Sequence, residues 1–447
     1  MRMFRKLGMI GMFLMMMDAC HAFAGDMINK YLPDYLKVDL QYRYRLEYRD
    51  NFDFNDTRDD RDTFNLYRLR LNLNFKPTKQ FNVFLQGQDS RINNDGFADK
   101  SGFENFMDIR QLYLNYENEL LFEPLALNKI SLRAGRQEFA YGAERLIGGF
   151  NWSNVAQSFD GGKVGFHFIP GHLQLDIFSG DKVSIKSPRE ADDFFDGSSK
   201  DRLSAYYATM KPYKDIVVEQ YLIRRKTGKN VSFGPNGSGA INDFTSGVRV
   251  FQPPATNRLD YEVETSGQWG EFNDKDVRAM MTVGILGYTF DHLWQPRAAF
   301  EFDYATGDSD PTDGTRRTFD NLYPTNHPFY GFMDLISLQN LNDYRYQFSV
   351  KPNGKLKLQT DLHLIYLDTP KDSFYSASRA VTRTASASLS SVNPHVGDEI
   401  DLTTEYKLNK FTNILVGYSH FFTGKYLQET GANDDADFFY FQTQVSL

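Results

Sequence analysis

Along residues 38–49, VDLQYRYRLEYR, every even position is apolar or aromatic and every odd position is polar or charged. Period two is the signature of a β-strand, whose successive side chains point to opposite faces. A soluble half-buried strand alternates too, but is usually only about 5–6 residues long. The unbroken run here matches the roughly 9–11 residues that a tilted strand needs to cross a bilayer. The same alternation recurs to Leu447 and predicts eighteen strands: near 37–49, 64–76, 80–91, 107–117, 129–140, 158–168, 172–181, 201–211 and 215–225, then near 244–252, 257–268, 277–289, 297–306, 343–351, 355–367, 398–408, 411–422 and 437–447.

The connections test this reading independently. KPTKQ (76–80), IPGH (169–172), KPYKD (211–215), QPPATN (252–257), HLWQP (292–296), KPNGK (351–355) and LNK (408–410) are short and turn-like. Between them fall longer polar segments at 50–63, 92–106, 182–200, 227–243, 307–342, 368–397 and 423–436. One long connection among the short ones, ENELLFEPLALNK, is the exception. Short periplasmic turns alternating with long outer loops belong to an outer-membrane barrel, and a soluble sandwich has no reason to sort its connections this way. Lipid offers no hydrogen bonds, so the sheet must close on itself. The last strand, FFYFQTQVSL, puts Phe439, Phe441, Thr443 and Val445 on one face, suited to closure against the first. The fold class is therefore all-β: a single transmembrane antiparallel β-barrel of about eighteen strands, with no linker.

Composition agrees. Aromatic residues make up 15 %, with 26 Tyr and 39 Phe, while the mean hydropathy is −0.51. That combination fits aromatic girdles around a polar lumen. Past the N-terminus no run approaches the ~20 apolar residues of a membrane-spanning helix. The N-terminus itself has a basic start (Arg2, Arg5, Lys6), an apolar stretch (Leu7 to Met17) and Ala22-Phe23-Ala24, which reads as a secretory signal peptide over 1–24. Residues 25–447 are then the barrel, delivered to the bacterial outer membrane. The one cysteine, Cys20, lies before the cut, so the mature chain has no disulfide. Removing residues 1–24 takes away three basic residues and one acidic one, moving the formal net charge from −8 to −10. An acidic balance argues against nucleic acid as a partner.

With the apolar parity facing lipid, the lumen can be listed. The first strand turns in Asp39, Gln41, Arg43, Arg45, Glu47 and Arg49. The second turns in Arg68, Arg70, Asn72, Asn74 and Lys76, and Arg133 and Lys163 follow. Later strands are mixed or acidic, with Asp260, Glu262, Glu264, Glu301 and Asp303, then Arg345, Lys357, Asp361 and His363, and finally Glu399, Asp401, Glu405 and Lys407. An arginine-rich wall thus faces a more acidic one. Lateral ion pairing that braces a wide barrel would account for single residues. The density on the first two strands exceeds that need and points to an anion path, for which arginine's planar fork suits carboxylates.

GRQEFAYGAERLIGGFNWSNVAQSFDGGKV (135–164) and DYATGDSDPTDGTRRTFDNLYPTNHPFYGFMDL (303–335) carry a resemblance. With RLRLNLNFKPT and DIRQLYLNYE upstream, they make the whole mature chain similar to the alginate export family of outer-membrane barrels. The resemblance implies a channel for an anionic polysaccharide, with periplasmic export components as possible partners. By motif position it implies a charged constriction at Arg136, Gln137, Arg145, Asn151, Asn154 and Asp160 that contacts sugar carboxylates. The 303–335 segment is long enough to fold into the pore. Its Asp303, Asp308, Asp310 and Asp313 are a candidate calcium set, against a plain solvated acidic turn around Pro311 and Gly314. No other cofactor is expected, and the histidines show no metal-ligand spacing.

An enzyme is not expected. There is no Gly-x-Ser-x-Gly, and Ser419 and His420 are adjacent on a strand and so point to opposite faces. The expected function is an outer-membrane channel passing an anionic polysaccharide or related anionic solute. A porin specific for small organic acids is the alternative, since it too would use an arginine ladder. An adhesin would have no use for a charged lumen.

Overall fold

A computed structural model of the protein describes residues 29–57, 60–96, 102–122, 126–168, 172–185, 198–385 and 391–447. The signal peptide expected over 1–24 lies outside the described residues. Eighteen antiparallel strands form one closed wall. They are β1 (Leu36–Asp50), β2 (Asp62–Phe75), β3 (Phe81–Asn93), β4 (Asn105–Phe122), β5 (Leu127–Gln137) and β6 (Phe159–Phe168). Next come β7 (Leu173–Val183), β8 (Ser198–Tyr213), β9 (Ile216–Ser232), β10 (Ser238–Gln252), β11 (Arg258–Phe272) and β12 (Lys275–Thr289). The wall ends with β13 (Arg297–Ala305), β14 (Leu341–Asn353), β15 (Leu356–Leu367), β16 (His395–Lys407), β17 (Thr412–Thr423) and β18 (Ala436–Ser446). Each strand pairs with the next, and β1 pairs with β18 from Gln41↔Ser446 to Asp50↔Asp437, which seals the cylinder. A short helix, α1 (Lys425–Thr430), lies in the last outer loop.

All eighteen predicted strands are present, and the structure corrects their ends. ENELLFEPLALNK is largely strand, since β4 runs to Phe122 and β5 starts at Leu127, so this connection joins the short set. The expected long loop at 227–243 shrinks to a turn around Gly234–Asn236, because β9 and β10 keep pairing beyond it. Between β11 and β12 the outer connection is only Asn273 and Asp274. Above the bilayer no lipid demands an apolar face, so a polar stretch such as GKNVS extends the ladder without showing the alternation. In the other direction, β5 stops at Gln137, and residues 138–158 form a long outer connection.

The two parities separate as expected. Leu69, Leu71, Leu114, Leu132, Val263, Phe348 and Leu402 are exposed on the outer wall. Much of the opposite parity is buried, because two outer connections, 138–158 and 306–340, fold into the barrel, whereas Asp39, Lys76, Lys351 and Lys407 near the short turns stay exposed. They are bonded to each other: Tyr323 N donates to Leu146 O at 2.9 Å, Thr325 N to Glu144 O at 2.9 Å and Gly148 N to Tyr323 O at 2.9 Å. Phe139, Leu146, Ile147, Phe319, Leu322, Tyr323, Tyr330 and Met333 of these segments join inward residues of the wall, such as Phe178, Tyr221, Met281 and Tyr440, in one apolar cluster. The core of the molecule therefore lies inside the lumen.

Candidate functional site

The infolded 138–158 segment spans two walls of opposite charge. On one side β1 and β2 present Arg43, Arg45, Arg68 and Arg70, all buried. Arg43 donates to Asn151 O (2.8 Å), Ser153 O (3.0 Å) and Asn154 Oδ1 (3.2 Å). Arg68 donates to the same two carbonyls at 2.9 and 3.1 Å, and to Gln41 Oε1 at 3.2 Å. Arg70 donates to Gln88 Oε1 (2.7 Å) and Asn151 Oδ1 (2.9 Å). Arg45 differs, since it pairs with Glu47 at 2.7 Å and stacks over the Trp152 ring at 3.8 Å.

Arg43 and Arg68 stand directly opposite one another in the β1–β2 register. Like charges at such positions repel. Among the described residues, Arg43, Arg68 and Arg70 have no carboxylate in ion-pair contact, and each keeps one buried guanidinium nitrogen without a protein acceptor. Lateral bracing does not explain these three. Their direct contacts are all with neutral oxygens, half of them supplied by Asn151 and Ser153, while Glu47 acts on Arg43 and Glu138 on Arg70 from beyond contact.

The other end of the same segment delivers a cation to the acidic wall. Arg145, 1 % exposed, reaches Glu262 of β11, Glu301 of β13 at 2.9 Å and Glu264 at 3.6 Å. Here arginines do brace: Arg249 pairs with Glu219 (2.8 Å) and Glu262 (2.6 Å), and Arg345 with Glu301 (3.1 Å) and Asp361 (2.8 Å). The second infolded segment is held similarly, by Arg225 on Asp320 (2.6 Å), Arg316 on Asp243 (2.9 Å) and Tyr323 Oη on Asp201 Oδ1 (2.5 Å).

The remaining expected site residues divide. Arg136 and Asp160 are partners across the β5–β6 ladder, joined by two bonds of 2.8 and 2.9 Å. Asn154 is buried and donates through Nδ2 to the carbonyls of Tyr67, Arg91 and Phe103, which ties the segment to the wall. Gln137 Nε2 donates to Gly161 O at 3.1 Å. Arg133 lies over Tyr113 (4.4 Å) and lines a 480 Å³ cavity with Lys163, Tyr141 and Asp176. Arg345 borders a 410 Å³ cavity with Arg297, Lys357 and Phe329.

The candidate calcium set is not a cluster. Asp308 accepts from Asn236 Nδ2 at 2.8 Å, and Asp313 is bonded to Arg317 at 2.7 Å, which holds its carboxyl below the usual range. Asp310 caps its own turn through Thr312. Asp303 belongs to the wall, opposite Asp343. Among the described residues no group of three or more His, Cys, Asp or Glu side chains is placed to hold a metal ion. Arg110 and Trp152 escaped the sequence reading. Arg110 falls out of simple parity because the β3–β4 register shifts beside it. Trp152, stacked between Arg45 and His327 (3.7 Å), sits in a loop with no period to mark it.

The sequence profile described as alginate export matches residues 34–441. No curated protein matches the chain. Solved structures share the fold at low identity. OccK5 (OpdH) of Pseudomonas aeruginosa is 12 % identical with a TM-score of 0.60, over 92 % of this chain and 98 % of that one. OpdK of the same organism, solved with vanillate, gives the same four figures. OccAB1 of Acinetobacter baumannii is 11 % identical with a TM-score of 0.58, over 93 % and 97 %.

Proposed function

Since the chain belongs to the alginate export family of outer-membrane barrels, we propose that this porin-like channel passes a carboxylate-bearing anion through its lumen. One observation carries this reading: Arg43, Arg68 and Arg70, two of them directly opposed, are gathered on the wall with no carboxylate in ion-pair contact among the described residues. Desolvated guanidinium groups without a contacting carboxylate make a positive field, and their donors match a carboxylate in geometry. The carbonyls of Asn151 and Ser153 occupy the positions in which such a group would be bound. An anion entering from the lumen competes with that segment for the same donors.

A solute the size of a small organic acid fits the cavities of 410 and 480 Å³ with both infolded segments in place. A polysaccharide chain passes only when the 138–158 segment moves aside. The static geometry therefore favours the small acid, and the vanillate bound to OpdK is a precedent on the same fold.

Reversal potentials in planar bilayers under a KCl gradient test the proposal. Anion preference is expected, and R43Q/R68Q/R70Q is expected to reduce it several-fold. If that variant instead raises conductance with selectivity unchanged, the arginines serve only to latch the loop. A cation-selective wild-type channel overturns the reading outright.

A further inference from the structure

Four neighbouring strands change charge along the barrel axis. Their inward columns carry Asp303 on β13, Asp343 on β14, Asp361 on β15 and Asp401 on β16 at and above mid-height, all buried. Toward the short turns the same columns end in Arg297, Lys351, Lys357 and Lys407. These basic ends, with Lys355, line a vestibule of 650 Å³ at the periplasmic mouth. The one carboxylate in its lining is Glu405. Arg297 is paired with Asp260 at 2.5 Å, and Lys355 Nζ donates to Leu408 O at 3.3 Å. Lys351, Lys357 and Lys407 form no ion pair among the described residues, although Lys357 stands opposite Glu405 in register.

We infer that this vestibule is a second anion site, which captures a multivalent carboxylate or phosphate arriving from the periplasm before it reaches the infolded segments. The inference rests on reading the barrel as an anion channel, and adds to it a place and a side of entry. Three unpaired ammonium groups around one concave space suit an anion with two or three charges better than chloride, because each extra charge finds its own partner. Their flexible stems impose little geometry, so the site selects for charge number and leaves shape to the arginines deeper in. Further along the same columns Arg345 and His363 sit against Asp361 and Asp343, so the unpaired positive charge of this face is gathered at the mouth.

Citrate and pyrophosphate are the probes, titrated calorimetrically into the detergent-solubilised full-length barrel at low salt. K351Q/K357Q/K407Q changes two exposed side chains and one half-buried one at the mouth, and is expected to keep the heat-modifiable migration of a folded barrel. It should weaken citrate binding on the order of tenfold, the sum of three modest charge contacts. R43Q/R68Q/R70Q should leave that binding within about twofold, because those residues stand on β1 and β2 and none of them lines the vestibule. In bilayers, citrate should block at lower concentration from the periplasmic side, and the lysine variant should lose that sidedness. Unchanged citrate binding in the lysine variant, or no binding by the wild type, overturns the inference. Loss of binding in the arginine variant alone also overturns it, while leaving the channel's anion path standing. Cation selectivity with lysine-dependent citrate binding sinks the channel reading and keeps the vestibule.

Discussion

Arg145 holds the two halves of the lumen's charge in balance, since it carries a guanidinium from the infolded segment onto Glu262, Glu264 and Glu301. Removing one partner of a buried ion pair typically costs about 3–5 kcal/mol. Arg249 and Arg345 share part of this load, so Arg145→Ala is expected near the lower end, about 3 kcal/mol. The loss should fall on docking of the 138–158 segment and spare the wall. Limited proteolysis should then cut within 138–158 while the barrel stays heat-modifiable, and protection equal to the wild type would refute it. Asp372 gives a pH prediction in an outer loop. Burial pushes its carboxyl up to about 6 from an ordinary 3.8, even though Thr318 Oγ1, Tyr375 Oη and two backbone amides donate to it. A raised acid favours the docked loop while protonated. Docking is therefore strongest below about pH 4 and weakens as pH climbs through 6, by about 3 kcal/mol in all. Hydrogen exchange at Phe374 and Tyr375 between pH 4 and 7, referenced to a wall strand, would show it, and a flat difference would rule it out.

Whole strands were far more legible than the segments joining them. In β1, β2 and β18 one face meets lipid and the other a polar interior, and that contrast writes itself into the sequence with period two. The two-residue turn at Asn273 and Asp274 went unseen because the polar strand ends around it meet no lipid. Asn273 has φ of 50°, a left-handed conformation that asparagine tolerates well. Its side chain also bonds Ala240 N (2.9 Å) and Ser238 O (3.1 Å), stitching this hairpin to the one beside it. Asn273→Val loses both bonds and adds backbone strain, an expected cost of about 2–4 kcal/mol. The midpoint of heat-induced migration change in gels should drop, whereas an unchanged midpoint would show that neighbouring strands carry the register alone. The infolded segments were legible only as motif and length. Nothing in the spacing of Asn151, Ser153 and Asn154 reveals that they offer oxygens to arginines more than 80 residues earlier. The arginines showed in the sequence as a row of charges, and their like-charged register became visible only once β1 and β2 were paired.

For the whole molecule, two kinds of positive charge sit at different depths. In the vestibule Lys351 and Lys407 are exposed and Lys357 is half-buried, while Arg43, Arg68 and Arg70 are nearly dry. Screening lengths fall from about 10 Å at 0.1 M salt to about 3 Å at 1 M, and act on the exposed set first. Anion preference should therefore decline between those concentrations and level off above zero. A decline to none would assign all of it to the exposed lysines.

The seam between β1 and β18 sets the terms on which the cylinder is made. The other wall contacts join barrel strands that follow one another along the chain, but this one unites residues from opposite ends of the described chain, Gln41 with Ser446 and Asp50 with Asp437. Closing so large a loop is the costliest pairing in entropy, and it gains nothing until the intervening strands are in place. Up to that moment two long edges stand open, each a template for pairing with any other unfinished sheet. Assembly is thus a race between one chain finding its own far end and finding a neighbour's, and the winner decides whether a cylinder or an aggregate forms.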